Sequence, residues 1–202
     1  MSVDPRLEGK NVLFIIPKDY YDEEQLEPLL DRFRAEGAEI RVASTKFKEA
    51  IGMKKGRQMP DMLVVDAIEG IIGDSYVTGG RGVRQVKGVF HGTVVIGGKG
   101  AKKYLWKENL VRLILTDRYR SQMVLGAIGT GIGCLGEADL VRNVEVAAPE
   151  DKHLLPQLEA AAAILTEDAV SVHERVVTAR DAASIEEFAE ALIPLIAKTP
   201  LK

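Results

Sequence analysis

The sequence has one cysteine, Cys134, in 202 residues, and three widely separated histidines, His91, His153 and His173. A lone thiol excludes an internal disulfide and a cysteine-rich metal site, and the histidines fall at no ligand spacing. No metal and no cofactor is therefore expected. Long apolar runs are also missing: Val94–Ile96 and Ala160–Leu165 are far short of a membrane span, so no membrane partner is expected. The opening Met-Ser-Val-Asp-Pro lacks the basic and apolar parts of a signal peptide, which makes a cytoplasmic location the expectation. Nor does charge of one sign accumulate. A formal net charge of -3 gives no electrostatic reason for a nucleic-acid partner.

What is present is an alternation of short apolar strands and amphipathic helices. Asn11–Pro17 (Asn-Val-Leu-Phe-Ile-Ile-Pro) reads as a buried first strand. Leu26, Leu29, Leu30 and Phe33 follow at helical spacing behind Asp22-Glu23-Glu24, acidic where the helix dipole favours it, and the helix stops near Gly37. Glu39–Ser44 alternates as a strand, and a strand-helix-strand order of this length implies a parallel right-handed crossover. Further strands are predicted over Asp61–Ala67, Thr93–Ile96, Val124–Ile128 and Asn143–Ala147, with helices around Tyr104–Ile114 and over Leu154–Leu165. A hairpin is expected from Val170–Val172 and Val176–Ala179, and a closing helix over Ser184–Ala197 with Ser184 as its N-cap. Glu69–Gly92, broken by seven glycines, reads as an exposed hairpin or loop excursion whose Arg81, Arg84 and Lys87 face solvent. No repeat or low-complexity linker divides the chain. The expectation is one α/β domain over residues 1–202, core about 10–197: a three-layer sandwich, flavodoxin-like, with a mainly parallel sheet of about six strands.

One stretch stands apart. Val124–Ile128 has the continuous apolar character of a strand covered on both faces, and Gly129-Thr130-Gly131 lets the chain turn sharply into a helix. Such an elbow holds one side chain at the top of a sheet beside the unpaired N–H groups of a helix start, where a nucleophile meets an oxyanion site. Here the residue at the tip is glycine. Gly97-Gly98-Lys99-Gly100, after the preceding strand, also allows close backbone approach, but it matches neither the dinucleotide-binding spacing nor a phosphate loop.

Several strings jointly carry a resemblance: Asp-Glu-Glu-x-x-Glu-Pro, with Glu24 four residues before Pro28; Gly52 and Pro60-Asp61; Val-Val-Ile-Gly-Gly at 94–98; Tyr104-Leu105-Trp106; Ala127-Ile128-x-x-Gly131, Leu135 and Glu137-Ala138; and Val-Val-Thr-Ala at 176–179. Over about Lys10 to Ala197 the chain resembles the PfpI-type intracellular peptidase superfamily, whose relatives include the Parkinson-disease-associated protein deglycase, chaperone-like glyoxalases and class I glutamine amidotransferases. The resemblance implies an elbow of the form Ala-Ile-Cys-x-Gly, with a glutamate of the first helix beside the thiol. Glu24 matches that glutamate, Gly129 stands where the nucleophilic cysteine would be, and Thr130 where a histidine often follows it. Gly97, Gly98 and Gly131 are the implied ligand-binding backbone positions. Read without the resemblance, Glu24 equally suits a solvated acidic helix start beside Asp22 and Glu23.

A glycine cannot attack a carbonyl. Cys134 is no substitute, since five residues into a helix turn it by about 500°, some 140° from the elbow's face, and a buried structural role is expected for it. The turn His173-Glu174-Arg175 departs from the relatives' Asp-Gly-Asn, and Glu69–Gly92 is longer than their connection. Three functions remain open: a member lacking the nucleophile that binds a small ligand or regulates; a hydrolase or lyase of the peptidase, deglycase or glyoxalase type using Glu24 as acid/base with Thr130 orienting; and a structural oligomer with a vestigial pocket. The resemblance also implies a homo-oligomer, a dimer or higher.

Overall fold

The computed structural model describes residues 5–76 and 83–201. Val12, Leu13, Phe14 and Ile15 lose all exposure to solvent, and this apolar strand, Asn11–Ile15, becomes an inner strand of the sheet. On one side it pairs in parallel with Glu39–Ser44, and on the other with Gly92–Val95. The full order is Val170–His173, Val176–Ala179, Val124–Ile128, Gly92–Val95, Asn11–Ile15, Glu39–Ser44, Met62–Leu63. Every neighbouring pair is parallel except the first, a hairpin whose register brings His173 opposite Val176. Glu174, at the turn, adopts φ +52°, the left-handed conformation that a glycine would enter without strain.

Alternation along each strand feeds two cores. Leu13, Ile15, Leu125 and Ala127 face one side with Trp106, Ile114, Leu135 and Leu154. Val12, Phe14, Val124 and Ile128 face the other with Leu29, Phe33, Phe188 and Leu192. The helices Glu23–Ala35 and Ile185–Ala197 pack together on the second face, and Val64–Ile68, Asn109–Arg120, Ile132–Glu137 and Leu154–Ala160 line the first. The result is the expected three-layer α/β sandwich with a mainly parallel sheet, of seven strands instead of six. A side chain at Gly126 would meet Phe188 and Leu192 at 3.0–3.1 Å, so a bare backbone lets the last helix lie against the elbow strand.

Several boundaries differ from the sequence reading. Asp61–Ala67 is not one strand: Met62–Leu63 pairs with Ala43 and Ser44, then Asp66 Oδ2 accepts from Leu63 N at 3.1 Å and starts a helix over Val64–Ile68. The helix expected over Leu154–Leu165 stops at Ala160, because Ala162 turns to φ +58° and its carbonyl accepts from Asn143 N. Ile164–Thr166 then pairs with Glu145–Ala147 in a separate two-stranded parallel sheet, so the strand expected at Asn143–Ala147 lies outside the central one. Ser184 does not cap through its hydroxyl; Asp181 Oδ1 accepts from Ala183 N at 2.9 Å instead. The excursion is a hairpin, Ile71–Tyr76 with Val83–Lys87. Of its basic residues, Lys87 is exposed, while Arg81 and the Arg84 side chain lie outside the described residues. Cys134 is buried as expected, and burial pushes its thiol far above the ordinary thiol range.

An ionic cluster ties the N-terminal segment to both helices of the second face. Glu36, 8% exposed at its side chain, accepts from Arg6 Nη2 at 2.6 Å and Nε at 2.8 Å and also pairs with Arg32, while Arg6 and Arg32 reach Glu190 of the last helix. Arg6 foremost, with burial opposing and Arg32 adding, lowers the Glu36 pKa from 4.5 to about 2. A depressed carboxylate contributes fully above its unfolded pKa and loses that contribution as pH falls through the folded one. Stability measured by urea unfolding should therefore decline as pH falls from about 4.5 towards 2. Glu36→Ala should cost on the order of 2 kcal/mol at neutral pH, since both arginines are partly exposed and screened, and should flatten that decline.

Candidate active site

At the end of the Val124–Ile128 strand the chain passes through a 3-10 turn, Gly129–Gly131, into the helix Ile132–Glu137. Gly129 is buried with φ +59°, the left-handed conformation at the tip of the elbow. Gly131 would place a Cβ 2.7 Å from Val95 O, so only a glycine lets the turn lie against the neighbouring strand. Trp106 Nε1 donates to Thr130 O at 2.7 Å and its ring covers Gly133. The sharp strand-to-helix elbow is therefore built, with no side chain at its tip.

The first helix does not bring Glu24 to this tip. Glu24 is 58% exposed at its side chain and pairs with Lys54 Nζ at 2.5 Å on the outer face. The next residue, Gln25, is 4% exposed and points at the elbow. Its Oε1 accepts from Gly97 N at 2.8 Å, and its Nε2 lies 2.5 Å from where a Cβ on Gly129 would stand. An amide thus fills the space that a side chain at position 129 would claim. Nothing in the local sequence flags Gln25 except its spacing four residues before Leu29, which puts it on the inward face.

Gly97, Gly98, Gly129, Thr130 and Gly131 do come together, but the Gly97 and Gly98 backbone donors are already committed. The Gly97 N–H goes to Gln25. The Gly98 N–H donates to Thr130 Oγ1 at 3.0 Å, and that hydroxyl donates back to Gly98 O at 2.8 Å. Thr130 is thus a clasp holding the Gly97–Gly98 turn to the elbow, and the expectation of vacant donors at Gly98 gives way to a pair satisfied from within. Beside the clasp is a cleft of about 300 Å³ between Gln25, Met53, Gly98, Gly129, Thr130 and Arg180. Glu23, 5% exposed, faces the other way: its Oε1 accepts from Lys54 N at 2.8 Å and Gly56 N at 2.9 Å and straps the 52–56 loop to the helix. Burial opposes its charge, but these N–H groups outweigh that and hold its pKa below the usual carboxylate value. No group of three or more histidine, cysteine or acidic residues fit to hold a metal occurs among the described residues.

If Gln25 is what closes the elbow, Gln25→Ala should both uncover the Gly97 N–H and open volume beside Gly129. The expected cost is about 1–3 kcal/mol by urea unfolding, the penalty of a buried donor left unpaired. Glu24→Ala should cost under about 1 kcal/mol, as an exposed ion pair does.

The geometry has counterparts among known proteins. The DJ-1/PfpI family pattern matches residues 10–195. An uncharacterized protein of Methanocaldococcus jannaschii is 26% identical over 172 residues, covering 85% of this chain and 75% of its own. The crystal structure of a ThiJ/PfpI domain protein from Brachyspira murdochii superposes with a TM-score of 0.79 at 20% identity, over 96% of this chain and 99% of that one. Drosophila melanogaster DJ-1beta superposes with a TM-score of 0.73 at 17% identity, over 94% and 91%. At such identities the two structures speak for the fold, and the family pattern, spanning nearly the whole chain, decides membership: this protein belongs to the DJ-1/PfpI family.

Proposed function

We propose that this protein is a member of its family that works without a nucleophilic thiol and binds a small molecule in the cleft beside the elbow, in a binding or regulatory role. The observation that carries this reading is the Gln25 amide 2.5 Å from the Cβ position of a glycine at the elbow tip. Covalent catalysis needs an activated nucleophile within reach of a base. Gly129 supplies none, and the Cys134 thiol is buried and raised in pKa. The open cleft favours a ligand site over a vestigial one. Acid/base chemistry by Glu24 has the least support, because its carboxylate sits on the outer face with Lys54.

The chain is also read as a homodimer or higher oligomer, with the Ile71–Tyr76 and Val83–Lys87 hairpin as an added contact surface. Closed two-fold assembly is the commonest form for soluble oligomers. Light scattering on a sizing column should give at least twice the monomer mass, and a monomer at high concentration would count against it.

Native protein should neither consume methylglyoxal nor label with iodoacetamide while folded. Gly129→Cys alone should label slowly, since its side chain must displace the Gln25 amide, whereas Gly129→Cys with Gln25→Ala, which vacates that space, should label faster. Robust turnover by the native protein that Glu24→Gln abolishes would overturn the reading in favour of acid/base chemistry.

A further inference from the structure

At the foot of the sheet, away from the elbow, three polar side chains are closed in together. The parallel strands Asn11–Ile15 and Gly92–Val95 both begin there. Lys10 and His91, the residues just before these strands, are 5% and 1% exposed, and Thr199, just past the last helix, is buried beside them. The Lys10 ammonium donates to the Thr199 carbonyl and, at 3.4 Å, to its Oγ1, whose own proton goes to Ile196 O at 2.6 Å. Leu201 lies alongside Gly9 with most of its surface in solvent. The segment Thr199–Leu201 is thus fastened to the sheet largely through one lysine.

The surroundings of His91 fix it in the neutral form. Its Nδ1 accepts from Asn11 N at 3.0 Å, so that nitrogen carries no proton, and its own N–H donates to Asn11 O at 2.8 Å. Nε2 has no hydrogen-bond partner. Of the elements that meet here, the start of the first strand brings Lys10, and the elbow strand brings Met123 and Val124, which carry no charge; Val124 N donates to His91 O at 3.0 Å. The segment after the last helix brings Thr199 and Pro200. Among the described residues no carboxylate acts on Lys10 or His91. Burial foremost, then Lys10, hold the His91 pKa below its ordinary 6.5, with backbone groups of Asn11 and Pro200 opposing. A base whose folded pKa is lowered contributes fully above its unfolded pKa and loses that contribution as pH falls towards the folded one.

We propose that His91 is an acid-operated latch on the segment Thr199–Leu201: a proton on Nδ1 breaks the bond from Asn11 N and sets a second positive charge beside Lys10, and the segment leaves so that water reaches both cations. The structure gives way at this segment because the strands on either side of His91 are covered on both faces, whereas Thr199–Leu201 has an exposed outer side and few ties. Two buried cations with no anion between them are not tolerated without water.

The test is an acid titration of the full chain from about pH 7.5 to about pH 4.5, followed by NMR at the His91 ring, at Thr199 and Leu201, and at Val94 and Val124 as references in the core. Thr199 and Leu201 should move to the positions of a free chain with the same midpoint as His91 protonation, below 6.5, while Val94 and Val124 stay in place. His91→Asn keeps an acceptor for Asn11 N and cannot titrate, so it should hold Thr199 and Leu201 in place to the end of the titration. Lys10→Met removes the facing charge and should move the His91 midpoint upward. A His91 ring that stays neutral throughout, a segment that stays in place while His91 titrates, or one released at the same pH in His91→Asn would overturn the proposal. So would a His91 midpoint unmoved by Lys10→Met, or loss of the Val94 and Val124 signals together with Leu201, since acid would then be unfolding the sheet. Should His91→Asn not fold, the coincidence of the native midpoints and the Lys10→Met shift decide.

Discussion

Three backbones meet at the head of the sheet with no room for side chains between them, and the architecture of the site follows from that contact. A Cβ on Gly97 would stand 2.8 Å from Ile128 O and 2.9 Å from Thr130 N; one on Gly98 would stand 2.7 Å from Asp22 N; one on Gly131 would stand 2.7 Å from Val95 O. Such approaches are open only to glycine. They bring the turn after Gly92–Val95, the elbow, and the start of the first helix into one rigid unit, with Asp22 N donating to Gly97 O at 3.1 Å as a further tie. The elbow's shape is therefore set by positions 97, 98 and 131 together with the Thr130 clasp. Position 129 contributes its left-handed backbone and no contact of its own, so the scaffold and the group at its tip are separable.

How much of this was legible in the sequence depended on how much of each feature is local. Covered parallel strands announce themselves as short branched runs, so Asn11–Ile15, Gly92–Val95 and Val124–Ile128 were visible, as was the elbow with its triplet Gly129-Thr130-Gly131. The failures came where a single polar contact decides an ending. Asp66 turning back to Leu63 N converts an apolar run into two strand residues and a helix, and Ala162 in a left-handed conformation cuts short a run of alanines that propensity alone would extend. Asp181, lying three residues before Ser184, took over the capping that a serine at a helix start would suggest.

The neighbour of the elbow tip lies one residue along from the one expected. Counting back from Pro28 selected Glu24, but one step along a helix is a rotation of about 100°, enough to exchange the cleft for solvent. The information to choose was present. Leu26, Leu29, Leu30 and Phe33 define the inward stripe, and Gln25 lies four residues before Leu29, whereas Glu24 falls between the exposed Glu27 and Pro28 and the stripe's edge. Glu23, three residues before Leu26, is on the inward side too, which explains why a carboxylate is buried there and used as a strap for the 52–56 loop. Amphipathic spacing is a better guide to which side chain faces the elbow than a motif count.

Placing an amide instead of a carboxylate against the elbow changes the electrostatics of everything around it. A carboxylate beside a thiol would share a proton with it, and the pair would set the charge of the cleft. Gln25 is neutral at every pH and donates and accepts at once, so it satisfies Gly97 N without adding charge. With the tip uncharged and the Gly97 and Gly98 N–H groups engaged, the charge around the cleft sits on its rim, on the caps Asp22, Asp151 and Asp181, each accepting from helix-start N–H groups. Burial foremost, with Glu24 and Glu23 adding, raises the Asp22 pKa, which is the response of a carboxylate drawn partly out of water at the cleft's rim.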